Sequence, residues 1–205
     1  QMGFKVLMGA WIGKDANENE KEVRSLISLI NEGNVDMAAV GNEVLFRGDQ
    51  QEDTIIDYIR EVKNKTTNVP VCYVDIYSEF INRPKLVKET DKILINCYPY
   101  WEGAPIEQAG IYLQEMYRKT QAIANKKDII ISETGWPSSG QIVGSAEPSV
   151  QNQMAYFVEV QSWASSSDIT LFYFSSFDES WKLHYEGWAG TAWGIWTVNE
   201  ELKLK

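Results

Sequence analysis

The sequence is poor in the residues that most metal and nucleophile chemistry requires. Its 205 residues include one histidine, His184, and two cysteines, Cys72 and Cys97. One histidine cannot supply a cluster of imidazole ligands for zinc, and a serine or cysteine nucleophile would depend on that single ring. Each cysteine lies inside an apolar run, so we expect two buried thiols rather than a disulfide. We therefore expect no metal site and no cofactor, and we assign no role to His184.

The sequence also lacks a run of basic residues and a long apolar stretch. Lys and Arg number 19 against 29 Asp and Glu, which gives a net charge of −10, whereas nucleic-acid binding draws most of its affinity from basic residues. No stretch reaches the roughly 18 apolar residues of a membrane-spanning helix. Residues 1–5 do not have the charged-then-apolar pattern of a leader. We expect a soluble chain that binds neither nucleic acid nor membrane and from which any signal peptide has been removed.

Six short apolar runs, rich in Val and Ile, alternate with longer stretches of helical periodicity. The runs are Phe4–Ala10, Met37–Val40, Val71–Val74, Ile93–Cys97, Ile129–Ser132 and Thr170–Ser175. Apolar residues fill them without clean alternation, which is typical of strands buried on both faces in a parallel sheet covered by helices. The alternation predicts an α/β fold, and the length predicts one domain over residues 1–205.

The stretches between the runs predict amphipathic helices. One apolar face comprises Ile55, Ile56, Ile59 and Val62, and another comprises Val150, Met154, Phe157, Val158 and Gln161. Asn19 with Glu22, and Asp49 with Glu52, have the spacing of capping boxes and predict the starts of two helices. Between the third and fourth strands the helical pattern is weak, so we expect a short or irregular helix there.

Acidic, amide and aromatic residues follow the predicted strands, and no glycine-rich phosphate-binding motif does. Glu43 follows the second strand and Glu133 follows the fifth. Catalytic groups of (β/α)-barrels gather at this end of the strands. A single glutamate there is more often a cap or a salt bridge, but two beside amide or aromatic groups favour chemistry. Glycoside hydrolysis needs such a pair, one to protonate the leaving oxygen and one to attack the sugar or activate water.

Four segments of the chain carry these acidic and aromatic residues in a recognisable order. They are Val40-Gly41-Asn42-Glu43-Val44, Asn96-Cys97-Tyr98-Pro99-Tyr100-Trp101-Glu102-Gly103, Ser132-Glu133-Thr134-Gly135-Trp136-Pro137-Ser138 and Phe177-Asp178-Glu179-Ser180-Trp181-Lys182. They resemble the signature segments of glycoside hydrolase family 17, the β-1,3-glucanases. The resemblance covers almost the whole chain and implies a (β/α)8 TIM barrel. It also implies a retaining double displacement, with Glu43 as acid/base, Glu133 as nucleophile and their carboxyl groups roughly 5–5.5 Å apart.

Residue chemistry and the resemblance together suggest the substrate contacts. We expect Asn42 to bond the 2-hydroxyl of the sugar being cleaved. Tyr98 either bonds the nucleophile and holds its rotamer or closes the core with its ring, and we favour the first role. The predicted substrate-binding set is Asn42, Tyr98, Trp101, Trp136, Glu179, Trp181, Lys182 and Glu186.

Two groups in this set have plain structural alternatives. Trp101 and Trp136 are expected to be sugar platforms, with burial in the core as the alternative. Lys182 is expected to keep nearby carboxylates ionised, with a solvated salt-bridge network with Glu179 and Glu186 as the alternative.

We expect an endo-β-1,3-glucanase that cleaves internal bonds of a glucan such as laminarin. As part of this hypothesis we expect the enzyme to be secreted, periplasmic or at the cell surface. A β-1,3-glucan transglycosylase would use the same residues, and sequence alone does not separate it from a hydrolase. A non-catalytic glucan-binding remnant is a third possibility, and binding without turnover would identify it.

The resemblance begins at what would be the third strand of the family barrel. We therefore expect a partial barrel of six βα units, strands 3–8 of the family fold, with the first two units missing at the N-terminus. Such a sheet would have edges at Lys5–Gly9 and Thr170–Ser175, and exposed strand edges promote association. We expect another copy of the chain or a separate N-terminal fragment to cover them.

Overall fold

The computed structural model describes residues 3–203, in which strands and helices alternate as the sequence predicts. The six strands are β1 (Leu7–Ala10), β2 (Met37–Asn42), β3 (Val71–Ile76), β4 (Ile93–Asn96), β5 (Ile129–Thr134) and β6 (Leu171–Tyr173). The helices of the described residues are α1 (Ala16–Asn31), α2 (Glu52–Lys65), α3 (Tyr77–Ile81), α4 (Pro84–Glu89), α5 (Ile106–Gln121), α6 (Val150–Ser166) and α7 (Leu183–Gly190). A single 3-10 turn over Ser180–Lys182 precedes α7.

The strands form a six-stranded sheet in the order β1-β2-β3-β4-β5-β6. β1 pairs in parallel with β2, β2 with β3, and β5 with β6. Each parallel neighbour is reached through one or two helices, as βαβ geometry requires. The predicted α/β fold of six parallel strands is confirmed. β1 and β6 are the terminal strands, as expected, and the self-association expected from them stays a prediction.

The chain divides into two compact units. The first runs to Ile95 and includes Lys119–Ile130, and the second comprises Asn96–Arg118 and the chain from Ile131 onward. The second and fifth strands, with their glutamates, end in different units. The prediction of one domain over residues 1–205 stays a prediction.

The core of the first unit lies on its buried sheet face. Ala39, Cys72, Val74, Leu94 and Ile130 form one cluster, with Leu7 and Met37 packed against it. Both cysteines are buried and unbridged, which confirms the prediction of two buried thiols. Burial raises the pKa of the Cys72 thiol to about 11 and also raises that of Cys97, so both stay protonated at neutral pH.

The predicted apolar face of α2 is confirmed. Ile55, Ile56, Ile59 and Val62 are all buried, and each fully buried side chain of this size contributes about 1.5–3 kcal/mol. The weak helical pattern before β4 corresponds to two short helices, α3 and α4.

Both predicted capping boxes are wrong. α1 begins at Ala16, and its N-cap is Asp15, whose side chain accepts from the backbone N–H of Asn17 and Glu18. Asn19 is instead buried inside the helix, where it accepts from the backbone N–H of Gly13 at 2.8 Å and donates to its carbonyl at 2.9 Å. Asp49 pairs with Arg47 at 2.7 Å instead of capping α2.

The predicted apolar face of α6 is also wrong. Met154 and Val158 are exposed, whereas Gln153 and Tyr156 are buried. Gln153 is buried because its amide donates to the backbone carbonyls of Trp136 at 2.9 Å and Trp193 at 3.1 Å. A polar residue with tertiary acceptors therefore occupies the position that hydrophobicity alone assigned to solvent.

No helix within residues 3–203 combines the length and apolar character needed to cross a bilayer.

Candidate active site

Glu43 lies directly after β2 in the first compact unit. Its backbone adopts a left-handed conformation with φ 54°, and its N–H donates to the carbonyl of Val74 at 2.9 Å. Asn42 is the last residue of β2, and both side chains are half-buried. The predicted position of Glu43, at the carboxyl end of a buried strand, is confirmed. Left-handed backbone is uncommon outside glycine and marks a turn whose surroundings dictate its shape.

The Arg47 side chain stabilises the same turn. Its guanidinium donates to the carbonyls of Asn42 and, at 3.0 Å, Ile12, and it pairs with Asp49. The guanidinium also stacks 4.7 Å from the ring centre of Trp11. A planar group with five donors suits this bridging role, because one side chain joins two backbone carbonyls and a carboxylate.

Glu133 is the penultimate residue of β5, in the second compact unit. The hydroxyl of Tyr98 donates to its Oε2 at 2.7 Å. The tyrosine ring in turn packs edge-on against Trp193, 5.2 Å between centres, and Phe174 at 6.2 Å. Packing therefore fixes the Tyr98 ring, and the Tyr98 hydroxyl in turn fixes the Glu133 carboxyl. Of the two roles considered for Tyr98, the structure favours the hydrogen bond to Glu133.

A close backbone contact explains why glycine stands at position 135 in the Ser132–Ser138 segment. A Cβ at this position would lie 2.0 Å from the carbonyl oxygen of Phe174. The N–H of Phe174 also donates to the carbonyl of Thr134 at 2.8 Å. Only glycine allows β5 and β6 to approach this closely beside Glu133.

The two predicted sugar platforms differ in exposure. Trp101 is 38% exposed and packs against Tyr100 and Trp193. Trp136 is fully buried, and its Nε1 donates to the carbonyl of Glu147 at 3.0 Å. A ring with no exposed face cannot stack on a sugar, so the expected platform role of Trp136 does not fit the structure and its alternative, burial, does.

The structure brings Lys182 together with both predicted acidic neighbours. Its Nζ lies 2.9 Å from Oε2 of Glu179 and 4.0 Å from Oε1 of Glu186. The ammonium also lies 4.0 Å from the ring centre of Phe174. The Lys182 side chain is only 12% exposed, so this is a partly desolvated cluster rather than a fully solvated network. Trp181 beside it is 61% exposed.

Sequence reasoning missed Trp193, which lies beneath the aromatic residues of the second unit. It is 1% exposed and contacts the rings of Tyr98, Tyr100, Trp101 and Phe174. Neither the spacing of Trp193 nor its neighbours in sequence distinguish it from Trp188 or Trp196. Only the fold shows that it supports the tyrosine that holds Glu133.

No group of three or more His, Cys, Asp or Glu side chains within residues 3–203 is arranged to hold a metal ion.

Comparisons with known proteins give a consistent picture. A family model described as the BtgE/BtgC glycoside hydrolase domain matches residues 1–194. A glucan 1,3-β-glucosidase of Arthroderma benhamiae is 29% identical over 221 residues, 98% of this chain and 71% of the relative. The cell surface mannoprotein MP65 of Candida albicans is 32% identical over 165 residues, which are 78% of this chain but 43% of the relative.

Solved structures match as well. A glycoside hydrolase family 17 β-1,3-glucanosyltransferase from Rhizomucor miehei superimposes with a TM-score of 0.90 at 32% identity, covering 98% of this chain and 75% of that one. An active-site mutant of the same transferase, solved in complex with laminaritriose, gives a TM-score of 0.89. An endo-laminarinase from Formosa, 19% identical, shares the fold with a TM-score of 0.82.

Proposed function

Because the chain belongs to the BtgE/BtgC glycoside hydrolase domain family, we propose that it is a retaining hydrolase that cleaves internal β-1,3-glucosidic bonds of a glucan such as laminarin. The relatives named as β-1,3-glucan enzymes support this substrate class. The observation that carries the mechanism is the 2.7 Å hydrogen bond from Tyr98 to Glu133.

Glu133 is proposed as the nucleophile. Its Oε2 accepts from the Tyr98 hydroxyl, which fixes the carboxylate that attacks the anomeric carbon. In that step the carbon–oxygen ester bond forms as the bond to the leaving glucan breaks. A donor that fixes the rotamer lowers the entropic cost of reaching the attack geometry.

Glu43 is proposed as the acid/base. In the first step its carboxylic acid gives a proton to the departing glucosidic oxygen. In the second step its carboxylate takes a proton from water as that water attacks the anomeric carbon. The bond from this carbon to Glu133 breaks, which releases the Glu133 carboxylate and restores the starting state. The product keeps the β configuration because the anomeric carbon is inverted twice.

The remaining proposed contacts follow from exposure and charge. Asn42 adjoins Glu43 and is proposed to bond the 2-hydroxyl. Trp101 and Trp181 offer exposed ring faces for stacking on sugars. The partly buried Lys182, paired with Glu179 and Glu186, is proposed to take part in substrate binding together with these two residues. Trp136 is left out of the proposed set because it is buried.

A β-1,3-glucanosyltransferase is the second candidate, since a transferase of Rhizomucor miehei matches 98% of this chain. The two reactions share the glycosyl-enzyme and differ only in whether water or a sugar hydroxyl resolves it. We also propose an extracellular or cell-wall location, which the naming of one relative as a cell surface mannoprotein supports.

One assay tests the function and separates the candidates. The full chain is incubated with β-1,3-, β-1,4- and mixed-linkage glucans, and products are sized with and without laminaritriose as acceptor. We expect new reducing ends from β-1,3-glucan alone. Products longer than the starting oligosaccharide would instead favour the transferase. Calorimetric binding without either product would identify a glucan-binding remnant.

A further inference from the structure

The segment that carries Glu43 is a short hydrogen-bonded turn. The N–H of Arg47 donates to the carbonyl of Glu43 at 2.9 Å, and the N–H of Asp49 donates to the carbonyl of Val44 at 3.0 Å. The first N–H groups of any such turn, here those of Leu45 and Phe46, have no acceptor inside it. A helix usually meets this need with a capping side chain from its own sequence.

Here the acceptors come from the neighbouring strand β3. The N–H of Leu45 donates to the hydroxyl of Tyr73 at 2.9 Å and to Oδ2 of Asp75 at 3.2 Å. The N–H of Phe46 is directed at the same Oδ2 at 3.4 Å, and the Tyr73 hydroxyl donates to it. Oδ1 of Asp75 accepts from the N–H of Ile76 at 2.8 Å. Both oxygens of this carboxylate are therefore occupied by donors, and the donors to Oδ2 include the two N–H groups of the turn.

The ring of Tyr73 also shapes the segment before Glu43. Gly41 has φ 91°, and a Cβ there would lie 3.3 Å from Cε2 of Tyr73 and 2.7 Å from Cγ2 of Val44. Tyr73 therefore contacts the chain on both sides of the glutamate, its ring at Gly41 and its hydroxyl at Leu45. Glu43 itself is held between them by its hydrogen bond to Val74.

Tyr73 and Asp75 are both fully buried. Placing a carboxylate in apolar surroundings is unfavourable unless donors compensate it, and burial raises the pKa of Asp75 to about 6. Buried acidic residues with a raised pKa cluster at functional sites, and this one bonds the turn that carries Glu43.

We propose that Tyr73 and Asp75 are positioning residues for Glu43. Their side chains accept hydrogen bonds from the backbone N–H groups of the turn after β2. These bonds hold Glu43 in one backbone conformation and its carboxyl in one orientation for proton transfer. This inference rests on the proposed acid/base role of Glu43. It assigns to Tyr73 and Asp75 no contact with substrate.

The test uses Tyr73→Phe, which removes one oxygen and keeps the ring against Gly41. The matched control is Tyr58→Phe, since Tyr58 is a half-buried tyrosine of α2 in the same unit. For each protein kcat/KM is measured on aryl β-laminaribiosides whose leaving groups range from dinitrophenol to phenol. We expect Tyr73→Phe to lose about tenfold on phenyl substrates and less than twofold on dinitrophenyl ones, which need no acid. The control should change neither value by twofold.

Other kinetic outcomes overturn the inference. An equal loss on all substrates would indicate a general structural role, and no loss on any would indicate no role. If Glu43→Ala itself shows no dependence on leaving group, or if the wild-type chain cleaves no substrate, the proposed function fails instead.

A second measurement does not depend on activity. Amide hydrogen exchange by NMR reports the cap directly, and we expect at least tenfold faster exchange at Leu45 and Phe46 in Tyr73→Phe and in Asp75→Asn. Exchange in α2 should stay as in the wild type. Unchanged exchange at both amides in Tyr73→Phe, which should fold even if Asp75→Asn does not, would overturn the positioning role whatever the enzyme assay shows.

Discussion

The hydroxyl of Tyr98 donates a hydrogen bond of 2.7 Å to Oε2 of Glu133. The two residues come from the segment after β4 and from β5, and a second contact, from the N–H of Cys97 to the carbonyl of Glu133 at 2.9 Å, fixes their backbones as well. The carboxyl proposed as nucleophile is thus held through both its side chain and its main chain.

Removing the Tyr98 hydroxyl should slow attack without unfolding the protein. A hydrogen bond to a charged group contributes about 1.5–3 kcal/mol, so Tyr98→Phe should lower kcat/KM on β-1,3-glucan by about ten- to a hundred-fold. The ring contacts with Trp193 and Phe174 remain, so the melting temperature should change little. An unaltered rate would show that Tyr98 serves packing alone.

The two glutamates should give opposite results in azide rescue. Glu133→Ala should lose turnover, and azide should restore it with an α-glucosyl azide product, because the anion enters from the vacated face. Glu43→Ala should lose about 10²–10⁴-fold on glucan but keep activity on dinitrophenyl substrates. Azide should then give a β-glucosyl azide. Interchanged product configurations, determined by NMR, would reverse the assignment of roles.

Asp75 should make stability depend on pH in an unusual direction. Burial raises its pKa from 3.8 to about 6, so the folded state binds this proton more tightly than the unfolded state. The corresponding stability is fully present below pH 3.8 and is lost as the pH rises through 6. The free energy of unfolding of wild type minus that of Asp75→Asn should therefore fall by up to about 3 kcal/mol between pH 4 and 7. Urea titrations at several pH values measure this, and a difference that grows with pH would mean that the donors outweigh burial.

Trp181 should contribute to glucan binding. Its ring is 61% exposed and lies beside Lys182. Loss of one stacking contact is worth about 0.5–1.5 kcal/mol, so Trp181→Ala should weaken laminarioligosaccharide binding up to about tenfold. The matched control is Trp188→Ala, because Trp188 is an exposed tryptophan of α7 with no proposed role. Calorimetry that shows equal losses in both variants would remove the specific assignment to Trp181.

The sequence-based prediction of the fold succeeded where hydrophobicity alone decides position. The face of α2, the buried strands β2 to β5 and the buried cysteines follow from apolar pattern, and the comparisons confirm the family resemblance. The expected burial of β1 and β6 on both faces is wrong, because these terminal strands are only partly covered. The prediction failed where a tertiary hydrogen bond decides whether a side chain is buried. Gln153 is buried because it bonds distant carbonyls, and no period in the sequence of α6 encodes those partners.

In the candidate site too, some features follow from the sequence pattern and others depend on tertiary contacts. The positions of Glu43 and Glu133 at strand ends follow from the pattern of runs and polar residues. The burial of Trp136 beneath Tyr156, and the capping of the Glu43 turn by Asp75, depend on side chains far apart in sequence. Single-sequence reasoning identifies such residues as polar or aromatic near a strand end, but it cannot say which of them face substrate and which support those that do.

Attack by Glu133 with Glu43 as acid and base requires that the anomeric carbon retains its configuration. Proton NMR of the first anomer formed from a laminarioligosaccharide tests this most directly, because the anomeric signals of α and β ends are resolved before mutarotation mixes them. We expect the β-anomer to appear first and the α-anomer to follow only at the rate of mutarotation. Initial formation of the α-anomer would contradict it.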